Sequence, residues 1–394
     1  MNVIILDDDG LQRSYSHISL IDKNLENSVY CIASKSKEHH ATNILKAYLS
    51  KARPIIYDAE NADLASYLEH LDLSLFETQT FAAMFFTSGS TGFPTGAFKT
   101  TENIETDMNA LVKIFQKKDI SRIIATVPFI HIYGFLAGLM LPLKLDVDLL
   151  FKEHFLPHDL LKTITPKSIV VTTPLYIKAL LRLDETADLQ ETIFISSTGP
   201  LPVEIAKEFI SKFNTNLIQL FGSTECGSIA YKKQAETAWR PFEGVNVSLN
   251  ENGLLRIQSP FISPILWNKE FMQTDSMIQT FDYANIHEET FELIGRNSHI
   301  LKVAGKRYST QQIEELLESM PDVKRALVHI KCDNTALKDE IISIFLETSS
   351  VISTKMIQML LKKHLGKINL PMELHLVEKI PLSAMGKKCL PLQG

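Results

Sequence analysis

The run Thr87-Ser88-Gly89-Ser90-Thr91-Gly92-Phe93-Pro94-Thr95-Gly96 interleaves glycines with hydroxyls. Glycine lets the backbone approach closely and take positive φ, so successive amide N–H groups can converge on phosphate oxygens. Ser and Thr add neutral donors. The run is not a Walker loop, because no Gly-Lys-Ser/Thr follows its second glycine, and no Gly-x-Gly-x-x-Gly succeeds it. By composition alone it reads either as a polyanion cradle or as a plain flexible loop. The cluster Asp7-Asp8-Asp9-Gly10 has the charge for a metal site, but four successive turn-formers read better as a solvated hairpin turn. Cys31, Cys226, Cys332 and Cys389 are scattered without a C-x-x-C pair, which excludes a zinc knuckle and disfavours a disulfide framework. No Ser-His-Asp or Cys-His arrangement is placed for a covalent nucleophile.

The chain has 394 residues, 45% hydrophobic and 22% charged, the balance of a globular enzyme with more than one domain. A net charge of −6 argues against nucleic acid as a partner. The scattered cysteines make a reducing cytoplasm the expected compartment, and the acidic N-terminus lacks the apolar length of a signal peptide. Residues 123–143 carry no acidic or basic side chain and meet the length criterion for a membrane span. Pro128, His131, Gly134 and Pro142 interrupt them, so a buried strand followed by a core helix is expected instead.

Apolar runs at 29–33 and 54–57, with helical spacing over 41–49 between them, give a β-α-β rhythm and imply a mostly parallel sheet. The glycine-hydroxyl run falls between the apolar 81–86 and Ala97-Phe98, as a loop joining two strands. Strands at 123–127, 168–172 and 193–196 continue the alternation. From residue 245 the pattern becomes antiparallel, with strands 245–249 and 254–257 about a turn at Glu251-Asn252-Gly253. Further on come strands at 291–296, 326–330, 341–346 and 374–377, and helices near 310–319 and 355–365. The expected fold is α/β, with a large domain of mostly parallel sheets layered with helices over 1–298. A small α+β domain follows over 299–394.

The glycine-hydroxyl run resembles the signature loop of the adenylate-forming superfamily, which includes acyl-CoA synthetases, aryl-acid ligases and peptide-synthetase adenylation domains. It departs at Thr95, where the family usually has Lys. Further segments resemble family motifs in the family's order. They are Val127-Pro128-Phe129-Ile130-His131-Ile132-Tyr133-Gly134, Ser196-Ser197-Thr198-Gly199-Pro200-Leu201, Phe221-Gly222-Ser223-Thr224-Glu225-Cys226-Gly227 and Thr280-Phe281-Asp282. Gly295-Arg296-Asn297-Ser298-His299, Lys302-Val303-Ala304-Gly305-Lys306-Arg307 and Pro381-Leu382-Ser383-Ala384-Met385-Gly386-Lys387 complete the series.

The resemblance implies an ATP-dependent carboxylate ligase that forms an acyl or aryl adenylate, releases pyrophosphate, and passes the acyl group to a thiol. Thr87, Ser88, Gly89, Ser90, Thr91 and Gly92 would hold the β,γ-phosphates of ATP. Thr198 and Gly199 would flank adenine, and Asp282 with Arg296 would hold ribose. Thr224 would donate to the α-phosphate and Glu225 would help hold Mg²⁺. His131, Gly222 and Gly227 would border the acyl pocket, although a lone His in an apolar run also reads as a core residue. Thr224-Glu225 by itself also reads as a helix N-cap with an acidic first turn.

Lys387 would bridge the attacking carboxylate and the α-phosphate. His299, usually Asp, would be the hinge about which the small domain turns to bring the Gly305 loop in for thioester formation. The partners implied are a small carboxylic acid and, as acceptor, coenzyme A or a phosphopantetheine-bearing acyl carrier protein. The His131 segment lacks the Asp that holds a substrate ammonium in amino-acid-activating domains, which favours a plain carboxylic acid. Thr95, Phe281 and His299 depart from the pattern. Residues 1–86 are fewer than the family usually places before the loop. A degenerate relative that binds nucleotide or acyl ligand without turnover is the alternative. Lys99, just beyond the run, could replace the missing cation if its side chain points the right way.

Overall fold

The computed structural model describes residues 1–7, 10–86, 94–115, 119–296, 300–303, 306–332, 340–365, 372–382 and 388–391. The chain divides into two compact units, one of residues 1–248 with 256–278, the other of 249–255 with 279–394. That is a boundary of contacts. The hinge expected at His299 is a different property, and His299 lies outside the described residues.

The larger unit contains a nine-stranded and a six-stranded sheet. In the nine-stranded sheet, Asn216–Ser223, Ile193–Ser196, Ser168–Thr172, Arg122–Ala125, Asp148–Lys152 and Asn2–Leu6 run parallel to one another. Antiparallel strands close both edges: Gln12–Ser16 on one side, Gly227–Lys233 and Arg240–Pro241 on the other. Every residue of Ile193–Ser196 and Ser168–Thr172 is buried. Parallel strands covered on both faces have no solvent side, which is why they read as continuous β-branched runs. Asp7 and Gly10 close the Asn2–Leu6/Gln12–Ser16 hairpin, with the Gly10 N–H donating to Asp7 O at 3.1 Å; Asp8 and Asp9 lie outside the described residues.

In the six-stranded sheet, Val29–Ile32, Arg53–Ile56 and Ala83–Phe86 are parallel, and Gly96–Lys99, Ile265–Trp267 and Phe271–Gln273 continue antiparallel. The helix Lys37–Leu49 supplies the crossover between the first two, started by Ser36, whose side chain accepts from the His39 N–H. Residues 123–143 resolve into the strand Arg122–Ala125 and a buried helical segment, with π-helical turns over Gly134–Met140 and an α-helix over Leu141–Leu145. Among the described residues no helix is long and apolar enough to cross a membrane.

The smaller unit carries the strand pair Ile300–Val303/Lys306–Ser309, the helices Thr310–Glu318 and Thr354–Leu365, and a sheet of Val323–Cys332, Glu340–Thr348 and Met372–Val377. Its own core gathers Ile313, Leu317, Val328, Ile342, Ile344, Ile357 and Leu361. The turn expected near 251–253 is built on Asn250, whose Oδ1 accepts from the Asn252 and Leu254 N–H groups.

Candidate functional site

Three of the motif segments leave the carboxyl ends of parallel strands in the nine-stranded sheet. The His131 segment follows Arg122–Ala125, the Thr198 turn follows Ile193–Ser196, and Thr224-Glu225 follows Asn216–Ser223. In open α/β sheets this is the edge where ligands bind. Hydrogen bonds join the segments directly. The Tyr133 hydroxyl lies 2.8 Å from Ile195 O and 3.0 Å from Thr172 O, and its burial raises its pKa well above that of a free phenol. The Ser197 hydroxyl donates to Leu220 O at 2.8 Å. The Lys99 ammonium donates to Glu225 O at 3.1 Å. Residues scattered between 99 and 225 are thereby brought to one edge.

The glycine-hydroxyl run does join two strands. Ala83–Phe86 and Gly96–Lys99 pair antiparallel, with Phe86 opposite Gly96. Residues 87–93, which include Thr87, Ser88, Gly89, Ser90, Thr91 and Gly92, lie outside the described residues. Lys99 is 2% exposed and its ammonium is held by Glu225 O and Phe261 O, the latter at 2.7 Å. Burial lowers its pKa to about 8 against the pull of Asp107. A cation so placed does not substitute for the missing Lys at position 95.

Thr224 and Glu225 sit half-buried at the tip of an antiparallel hairpin, Asn216–Ser223 against Gly227–Lys233, and not at a helix N-terminus. The turn is tight. Gly227 has φ +73°, and a Cβ there would stand 2.6 Å from Asp107 Oδ2. A Cβ on Gly222 would meet the Gly227 carbonyl. The Cys226 N–H donates to the Ser223 hydroxyl at 3.1 Å. Both glycines therefore have a steric reason to be there, whatever else they border.

Thr198 has φ +79°, a left-handed conformation that costs a β-branched residue of order 1–3 kcal/mol. His131 is partly buried, and its carbonyl accepts from the Phe135 N–H at 2.9 Å.

In the smaller unit, Asp282 on Met277–His287 faces Arg296 on Thr290–Arg296 across the hairpin, so the two residues expected at ribose are cross-strand partners. Asp282 is 8% exposed, and its N–H donates to the Thr280 hydroxyl at 3.0 Å. Phe281 lies inside the strand Met277–His287 and is exposed. His299, Gly305 and Lys387 are outside the described residues. Lys388, next in the chain, is anchored to Glu314 at 2.8 Å, Glu318 at 2.6 Å and Ala326 O at 2.7 Å.

Residues 16–252 match the family described as AMP-binding enzyme, and the chain belongs to that family. It is 24% identical over 359 residues to a malonate–CoA ligase of Arabidopsis thaliana, a match covering 78% of this chain and 59% of the relative. It is 22% identical over 337 residues to a long-chain-fatty-acid–CoA ligase of Bacillus subtilis, covering 78% and 60%. The chain thus spans about three fifths of the length of these relatives. The solved o-succinylbenzoate CoA synthetase of Bacillus subtilis, in complex with its acyl-adenylate intermediate, superposes with a TM-score of 0.80 at 15% identity. That superposition covers 98% of this chain and 94% of the other, and it establishes the shared fold.

Proposed function

We propose that this chain activates a small carboxylic acid with ATP, forming an acyl adenylate and pyrophosphate, and transfers the acyl group to the thiol of coenzyme A. The observation that carries the reading is the convergence of the His131 segment, the Thr198 turn and the Thr224-Glu225 hairpin at the carboxyl edge of one parallel sheet, joined by hydrogen bonds through Tyr133, Ser197 and Lys99. Membership of the AMP-binding family and the names of the relatives support it.

A carboxylate approaching a triphosphate meets like charge, so the site must neutralise that charge and hold attacker and leaving group in line. The hairpin tip offers a hydroxyl and a carboxylate, hard oxygen donors that fit Mg²⁺, which takes one or two carboxylates and fills its shell with phosphate oxygens and water. Bound there with ATP, Mg²⁺ would offset phosphate charge. In this reading Glu225 holds the cation, Thr224 donates to the α-phosphate, and residues 87–92 grip the pyrophosphate. Asp282 and Arg296 take the ribose hydroxyls, and Lys387 lies between carboxylate and α-phosphorus. His299 is the hinge between the half-reactions, with 299–394 as the moving part, and the Gly305 loop serves the second.

Replacing Lys387 with Ala should lower adenylate formation by roughly 10²–10³-fold, the usual loss for one preorganised donor. Thiol attack on supplied acyl adenylate should be much less affected. Equal loss in both half-reactions would overturn the assignment of Lys387. Thr95, with Lys99 committed elsewhere, favours a second reading: a protein that binds nucleotide or acyl ligand without turnover. The same assay separates the two, since a pure binder makes neither AMP nor thioester with any acid.

A further inference from the structure

Two buried side chains of opposite charge lie directly beneath the Thr224-Glu225 turn, and nothing in the chemistry above uses them. Lys99 and Asp107 are each 2% exposed. Lys99 ends the strand that leaves the glycine-hydroxyl run, and Asp107 is on the next helix, Thr101–Lys113. Both charges are disfavoured by burial, which pushes the Asp107 carboxyl up and the Lys99 ammonium down, and each offsets part of the other's penalty.

What they hold is the turn. Glu225 O accepts two bonds, from Lys99 Nζ at 3.1 Å and from the Ser263 N–H at 2.8 Å, and Lys99 reaches Phe261 O at 2.7 Å as well. Asp107 Oδ2 accepts from the Ser228 N–H at 3.0 Å, just past Gly227. Asp107 Oδ1 has no hydrogen-bond partner among the described residues. The backbone is therefore gripped on both sides of Cys226, by a cation at Glu225 and an anion at Ser228. Gly227 has no Cβ where one would strike the Asp107 carboxylate.

Burying two opposite charges is a poor source of net stability, because desolvation consumes most of their attraction. They can still fix the direction of what they bind. We propose that Lys99 and Asp107 are positioning residues that clamp the hairpin tip to the strand Gly96–Lys99 and the helix Thr101–Lys113, so that the turn presents the Glu225 carboxylate in one orientation. The clamp acts through Glu225 and touches no substrate. The inference rests on the reading of Glu225 as the Mg²⁺ carboxylate.

The test measures ATP affinity by calorimetry with and without Mg²⁺ for the parent, Lys99→Met, Asp107→Asn, Glu225→Gln and the Lys99→Met/Glu225→Gln double variant. Glu225→Gln should remove about tenfold of the gain in affinity that Mg²⁺ gives. Lys99→Met should remove a similar share while changing Mg²⁺-free ATP affinity less than twofold. In the Glu225→Gln background Lys99→Met should add nothing, because both changes break one unit. Asp107→Asn, which keeps shape and an acceptor, should give about a threefold loss and carries the test if Lys99→Met does not fold. Full Mg²⁺ response in Asp107→Asn and in folded Lys99→Met, with Glu225→Gln impaired, would make the pair a packing feature only. Additive losses in the double variant would equally contradict the clamp. An unchanged Mg²⁺ response in Glu225→Gln would instead remove the reading of Glu225, and the clamp with it.

Discussion

Thr95 and Lys99 show how little a cation's position in sequence says about its availability. Both lie within three residues of Gly96, yet Lys99 is 2% exposed with its ammonium bonded to two carbonyls, while Thr95 is partly exposed near the end of the run. The structure removes Lys99 as a surrogate for the cation missing at position 95. Thr95→Lys should then lower the apparent KM for MgATP about fivefold, the equivalent of ~1 kcal/mol from one partly solvated charge-assisted bond. Steady-state kinetics at saturating acid would show it. An unchanged KM would mean that position 95 does not face the phosphates.

The Asn216–Ser223/Gly227–Lys233 hairpin is the element on which the account leans most. Its tip turns on Gly227 at φ +73°, packed against the Asp107 carboxylate and Phe261. Gly227→Ala places a side chain in a disfavoured conformation and against both neighbours. It should cost at least about 2 kcal/mol, lowering the thermal midpoint by roughly 5 °C. A melting curve matching the parent's would show that the turn relaxes freely. The elements themselves were largely readable. The parallel strands at 168–172 and 193–196 are continuous apolar runs, and the glycine-hydroxyl run lies between two more. The motif segments could be picked out because their residue types and order resemble those of one family, to which the chain belongs.

The hairpin tip was not readable, since Gly-Ser-Thr-Glu fits a helix N-cap equally well until the returning strand is seen. Nor was Asp107, which lies between Ile104 and Met108 on the buried side of its helix, where a carboxylate looks out of place. Its partner Ser228 is 121 residues away, and Lys99 meets Glu225 across 126. No local pattern encodes such pairings.

At the scale of the molecule, burial of cations sets a pH dependence. The Lys37 ammonium lies within the larger unit, donating to Ala125 O at 2.8 Å and standing over the Phe129 and Phe151 rings, and burial lowers its pKa to about 7. Lys99 is lowered to about 8. In the unfolded chain both return to about 10.4, so between these limits the unfolded state binds more protons and stability rises with pH. The slope should approach ~1.4 kcal/mol per pH unit for each lysine, from about pH 7 upward for Lys37 and about pH 8 upward for Lys99. Buried Tyr48, Tyr133 and Tyr176 have raised pKa values and act oppositely, contributing stability that is lost above about pH 10. Urea midpoints should climb from pH 7.5 to 9.5, and Lys37→Met should flatten the climb. A midpoint that falls over that range would mean that these amines keep their charge in the folded state.

The central claim is that this chain joins a carboxylic acid to AMP. Exchange of labelled pyrophosphate into ATP, followed over a panel of aliphatic and aryl carboxylic acids with Mg²⁺, tests it most directly, because the exchange requires reversible adenylate formation and no thiol acceptor. The account predicts exchange that depends on one class of acid, is abolished by chelating Mg²⁺, and falls by about 10²-fold or more in Lys387→Ala. Measurable ATP binding with no acid-dependent exchange across the panel would contradict it and leave a nucleotide-binding relative without turnover.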